Sequence, residues 1–201
     1  TVPNLCYVIL DISKNVLHYS GIENKVQGDA VKLPFATNTI DLLLCRQVLH
    51  YLNLQDAFLE FYRVISPNGL VIISNEWWFD GDETAEEKFW VTTLARSRDK
   101  PSHVLLSRQE ILEVAMSIRF QILHRSDNYD SRLVPITEWG GLYDSLESKL
   151  SDKRKEILDK FSNFNLSKGY PHIVNDAVAF TSKWMILVLR HNKTRVGTDE
   201  T

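Results

Sequence analysis

Three short, nearly continuous apolar runs constrain this chain most: residues 5–10 (LCYVIL), 40–45 (IDLLLC) and 70–74 (LVIIS). A strand apolar at consecutive positions has to be covered on both faces. That is the situation of a strand in a parallel sheet lying between layers of helices. The stretches between the runs carry helix signals. Ser13 offers an N-cap for a short helix over 14–19, which Gly21 closes. Val26 starts a second short strand that stops at Gly28-Asp29. Ala57, Phe58, Phe61 and Val64 recur at helical spacing over 55–64, and Pro67-Asn68-Gly69 makes a turn before the third run. Strand, helix, strand, strand, helix, strand within the first third of the chain predicts an α/β sheet with right-handed crossovers.

The remainder reads as more helical. Helices are expected over 84–98 and over 108–116, the latter capped by Ser107. Strands are expected over 120–124 and 177–189. The long segment between these strands holds a helical pattern at 151–161 and aromatics at Trp139, Tyr143, Phe164 and Tyr170. It is too long for a structureless loop, so it is expected to form a small helical cap or insertion over 130–176. The organisation expected is an α/β core over 1–129 and 177–191, the cap at 130–176, and a flexible polar tail over 192–201.

Composition narrows the functional classes. The formal net charge is −3 and no basic run stands clear of neighbouring acids, so a nucleic-acid groove is not expected. No apolar stretch approaches the roughly 20 residues of a membrane span, and the first five residues do not read as a signal peptide. Cys6 and Cys45 both lie in apolar runs and are expected as buried free thiols, which fits a reducing, cytoplasmic setting. No Cys-x-x-Cys or His-x-x-x-His spacing occurs, so no metal site is expected. Self-association into a homo-oligomer is compatible with all of these features.

Ligands of open α/β sheets bind outside the carboxyl ends of the strands, which marks the candidate site residues. Asp11 ends the first run, where a carboxylate can accept hydrogen bonds from both hydroxyls of a ribose. Gly28-Asp29-Ala30 ends the second strand, where glycine allows close approach and the acid suits the amine and edge of an adenine. Each has a plainer alternative, a capping acid for Asp11 and a strand-ending turn for Gly28-Asp29.

Taken in order, Asp11-Ile12-Ser13, Gly28-Asp29-Ala30, Leu33-Pro34-Phe35, Ile40-Asp41, Val48-Leu49-His50-Tyr51 and Arg63-Val64-Ile65-Ser66-Pro67-Asn68-Gly69 resemble the class I S-adenosylmethionine-dependent methyltransferases, and more narrowly those acting on small molecules. The resemblance covers residues 6–74. It implies a Rossmann-like sheet, mostly parallel, with a C-terminal antiparallel strand. It also implies S-adenosylmethionine as cofactor. Asp11 would take the ribose hydroxyls, with Ile12 packed on the adenine. Asp29 would take the adenine amine, with Ala30 beside the ring. Cys45 and Arg46 would pass under the methionine part. Gln47, Glu76, Trp77 and the cap residue Trp139 are placed to meet a small-molecule methyl acceptor; the alternative is that Trp77 packs under the cap and Trp139 belongs to a small core of the cap itself. His50 would be the general base if the acceptor carries a proton, since histidine titrates near neutrality; a structural hydrogen bond within a helix is the plainer role.

One departure stands out. The family's first strand and its glycine-rich loop should precede the run at Cys6, and only five residues, none a glycine, do so here. The expectation is a longer methyltransferase of which this is a piece. The alternative is a methyltransferase-like interaction module without catalysis. A nicotinamide-dependent dehydrogenase would explain Asp11, but not Leu33-Pro34-Phe35 or the turn at 67–69. At that turn Asn68 stands where the family has glycine, and asparagine tolerates positive φ.

Overall fold

A computed structural model describes residues 6–85, 88, 105–135, 172–174 and 177–191. Two strands, β1 (Ile9–Asp11) and β2 (Lys25–Gln27), pair in parallel and flank α1 (Lys14–Tyr19), whose N-cap Ser13 accepts from the Val16 amide. A five-stranded sheet follows, built from β3 (Ile40–Arg46), β4 (Ile65–Trp77), β5 (Phe120–Pro135), β6 (His172–Val174) and β7 (Ala177–His191). Its path is β3-β4-β7-β5, with β6 also on β7. β3 is parallel to β4, while β7 is antiparallel to β4, β5 and β6. The last strand therefore runs against the other four, as the sequence predicts for a Rossmann-like methyltransferase sheet.

Helices α2 (Leu54–Val64, capped by Asn53) and α3 (Arg108–Ser117, capped by Ser107) pack on one face of this sheet. Phe58, Phe61 and Val64 of α2 and Ile111 and Ala115 of α3 bury themselves against Val71, Ile73, Met185, Leu187 and Leu189. Phe58 meets Phe61 and Phe120 at ring separations of 5.8 and 6.3 Å. On the other face Leu42 and Leu44 of β3 are 52% and 66% exposed. The apolar run that demanded two-sided cover thus has described helices on one side.

Several expectations change. The first run is a strand only from Ile9, because β2 offers just three residues to pair with, and Cys6 lies outside the ladder, exposed. The turn at 67–69 is an irregularity inside β4, where pairing with β3 jumps from Ile65 to Leu70. Asn68 takes φ +69° there, and Gly69 fits because a Cβ would lie 2.8 Å from Ile65 Cγ2 and 2.9 Å from the Ser66 carbonyl. β5 runs on to Pro135 through a polar stretch, held by its ladder to β7. The segment expected as a cap therefore begins with strand residues 130–135 and ends near β6. Residues 136–171, with Trp139 and the helical pattern at 151–161, lie outside the described residues, as do 192–201 and most of 84–98. No described helix is long and apolar enough to cross a membrane.

Candidate functional site

The parallel register sets the first half of the site. Asp11 pairs with Gln27 at the carboxyl ends of β1 and β2, and the Gly28 amide donates to the Asp11 carbonyl at 3.1 Å. Asp11 thus ends β1 beside the end of β2, and Asp29 follows just past that end. The Asp11 Oδ1 accepts the Ser13 amide at 2.7 Å, which fixes the carboxylate at the start of α1. Its Oδ2 has no hydrogen-bond partner among the described residues. Asp29 is exposed, and its Oδ1 accepts the Val31 amide at 3.0 Å. Ile12 is 69% exposed beside them, and Ala30 is half-buried. Gly28 has a packing reason: a Cβ there would lie 3.0 Å from Leu10 Cδ1 and 3.2 Å from Pro34 Cδ. The side chains of Leu10 and Pro34 make a close approach there.

Among the described residues β1 and β2 share no ladder with the larger sheet. The loop after β2 is instead clamped to α2. Arg63 donates to the carbonyls of Phe35 and Leu33 at 2.8 and 2.9 Å. Glu60 accepts the Leu33 amide at 2.8 Å and Arg63 Nε at 2.7 Å. The Arg63 hydrogen bond holds the Glu60 carboxyl below its ordinary range, aided by the Leu33 amide and opposed by partial burial. The sequence shows Glu60 and Arg63 only as a helical pair; their reach to the loop depends on tertiary placement.

The second half lies where β3 and β4 end. Cys45 is 6% exposed and faces the core, and burial pushes its thiol up to about 12. Its side chain therefore packs in the core, and what Cys45 offers toward the strand end is its backbone. Arg46 is exposed at the strand end. Gln47 follows with φ +53°, its amide donating to the Ser74 carbonyl at 2.9 Å. His50 is half-buried in a 3₁₀ turn (Leu49–Tyr51), its ring 4.1 Å from that of Tyr51. Glu76, half-buried on β4, presents its amide toward Gln47 Oε1 at 3.5 Å.

Trp77 takes the packing alternative among the described residues. It is 3% exposed, its indole N–H donates to the Asp127 carbonyl, and Lys183 and Arg108 lie over its ring at 4.6 and 5.4 Å. Around it Arg108 bridges Asp80 and Asp127, and Arg125 also pairs with Asp127. The Arg125 and Arg108 hydrogen bonds hold the Asp127 carboxyl below its ordinary range. The sequence hides this cluster, because its members lie on five separate elements or loops.

Residues 4–73 match the family model of the methyltransferase domain. An uncharacterized protein of Methanocaldococcus jannaschii is 37% identical over 67 residues, 33% of this chain and 30% of that protein. A malonyl-[acyl-carrier protein] O-methyltransferase of a Marinomonas species is 25% identical over 198 residues, 94% of this chain and 64% of the enzyme. The chain thus spans less than two thirds of the length of these curated relatives. Among solved structures, a candidate methyltransferase of Bacillus halodurans superposes with a TM-score of 0.68 at 16% identity, over 92% of this chain and 83% of that one.

Proposed function

We propose that the protein to which this chain belongs is a class I S-adenosylmethionine-dependent methyltransferase that methylates a small molecule, a reading supported by the match of residues 4–73 to the methyltransferase-domain model and by the likeness of fold. The observation that carries this is Asp11 at the end of β1 and Asp29 just past the end of the adjoining β2, with an Asp11 oxygen that has no hydrogen-bond partner among the described residues and an exposed apolar Ile12 next to it. Two carboxylate acceptors beside an apolar surface fit the hydroxyls, amine and face of an adenosine. Asp11 would hold the ribose hydroxyls, Asp29 the adenine amine, and Ile12 and Ala30 the faces of the base. The backbone at Cys45 and Arg46 would lie under the amino-acid part.

The cofactor supplies a methyl group on a sulfonium, ready for in-line transfer to a nucleophile. The work left to the chain is placement and exclusion of water. Gln47 and Glu76 stand at the strand ends where an acceptor would lie. His50, in the turn beyond β3, would hold the acceptor's proton on its imidazole where the acceptor needs one removed. A formal charge of −3 without a basic surface run favours a small acceptor over nucleic acid.

Calorimetric titration with S-adenosylhomocysteine and, separately, with a nicotinamide dinucleotide tests the reading. Saturable heat for the first alone is expected; preference for the dinucleotide would refute it. A second reading, an interaction module without catalysis, is favoured by β1 and β3 each having one ladder partner among the described residues. It predicts no cofactor heat and a stable protein partner on purification.

A further inference from the structure

The loop that leaves β3 is held in a shape its own residues do not prefer. Gln47 adopts φ +53°, a left-handed backbone that residues with a side chain rarely take and that persists only where the surroundings impose it. The 3₁₀ turn that follows begins at Val48 without a side-chain cap, so its leading amides need partners from elsewhere. One comes from β4. Asn75 is fully buried; its Oδ1 accepts the Leu49 amide at 3.2 Å, and its Nδ2 donates to the Glu76 carbonyl at 2.7 Å. With the Gln47 amide bonded to the Ser74 carbonyl at 2.9 Å, successive β4 residues grip the loop on both sides of the left-handed residue. A buried amide on the otherwise apolar buried face of β4, between Ile73 and Trp77, is costly unless its bonds are needed there.

We infer that Asn75 is a positioning residue: through the Leu49 amide it holds residue 47 left-handed, and so sets the shape of the loop carrying Gln47 and His50 at the ligand end of the sheet. The effect on ligand rests on the methyltransferase reading; the effect on the loop does not. The test compares the chain with Asn75→Ala, with the strand-compatible Asn75→Val, and with the double variant Asn75→Ala/Gln47→Gly, since glycine takes positive φ freely. Backbone chemical shifts and three-bond couplings report φ at residue 47, and calorimetry reports S-adenosylhomocysteine affinity well below each melting temperature.

The expected result is loss of positive φ in the Asn75 variants with affinity down about tenfold, and recovery of most of that affinity in the double variant. A merely structural role would lower the melting temperature without rescue by glycine. Positive φ retained in a folded Asn75→Val chain overturns the inference, as does equal loss of affinity with and without Gln47→Gly. If the unmodified chain takes up no S-adenosylhomocysteine, the methyltransferase reading falls, and φ at residue 47 alone then decides: its loss supports the role of Asn75 and its retention refutes it.

Discussion

Replacing Glu60 by glutamine probes the clamp that joins the loop after β2 to α2. The carboxylate accepts three hydrogen bonds, from the Leu33 amide at 2.8 Å and from Arg63 Nε and Nη2 at 2.7 and 2.8 Å. Glutamine has one oxygen, and its amide group would face either the Leu33 N–H or the guanidinium, donor against donor. A hydrogen bond to a charged group contributes about 1.5–3 kcal/mol. The Glu60 side chain is 19% exposed, so solvent screening brings the expected cost of losing the Leu33 contact to about 1–2 kcal/mol. Urea unfolding followed by tryptophan fluorescence measures it at neutral pH.

The pH dependence carries a sign. The folded carboxyl titrates below its ordinary 4.5, so its contribution is complete above that pH and is lost as the pH falls through the folded value. The stability gap between the unmodified chain and the Glu60→Gln variant should be constant from neutral pH down to about 5.5 and shrink below 4.5. An unchanged urea midpoint in Glu60→Gln, or a gap that widens in acid, would refute the reasoning.

Three further outcomes follow from the core and the backbone. Phe58→Ala empties a fully buried site between Phe61 and Phe120 and should cost about 3–5 kcal/mol in urea unfolding; a cost under about 1 kcal/mol would contradict the packing described. Gly69→Ala pushes a Cβ to 2.9 Å from the Ser66 carbonyl and 3.1 Å from the Asp41 carbonyl; backbone oxygens yield poorly, so a loss of about 1–3 kcal/mol is expected from thermal melts, and an unchanged melt would show the bend is looser. A thiol reagent should label exposed Cys6 in the native chain and Cys45, whose thiol burial raises to about 12, only after denaturant; prompt labelling of both would place Cys45 outside the core.

Much of the fold is legible because it is local. Apolar runs mark β3 and the ladder part of β4, serines mark the starts of α1 and α3, and helical spacing marks α2. The rest depends on partners distant in sequence. The polar stretch HRSDNYDSR becomes strand because β7 supplies its ladder, against its own weak β preference. Trp77 is closed off by Arg108 and Lys183, which the chain brings from far downstream. Asp11, Asp29 and Gln47 are readable as polar residues at or just past strand ends, whereas Asn75 and the left-handed backbone at Gln47 carry no signal: an amide between Ser74 and Glu76 has an ordinary explanation until the backbone angle is seen.

The central claim concerns Asp11, and Asp11→Asn tests it most directly. Asparagine keeps an oxygen for the Ser13 amide, so the local fold is retained while the charge offered to a ribose is lost. Titration of S-adenosylhomocysteine into the two chains at neutral pH should show the variant binding about 10- to 100-fold more weakly, the loss of a charge-assisted hydrogen bond. Equal affinity in the two chains would contradict the account.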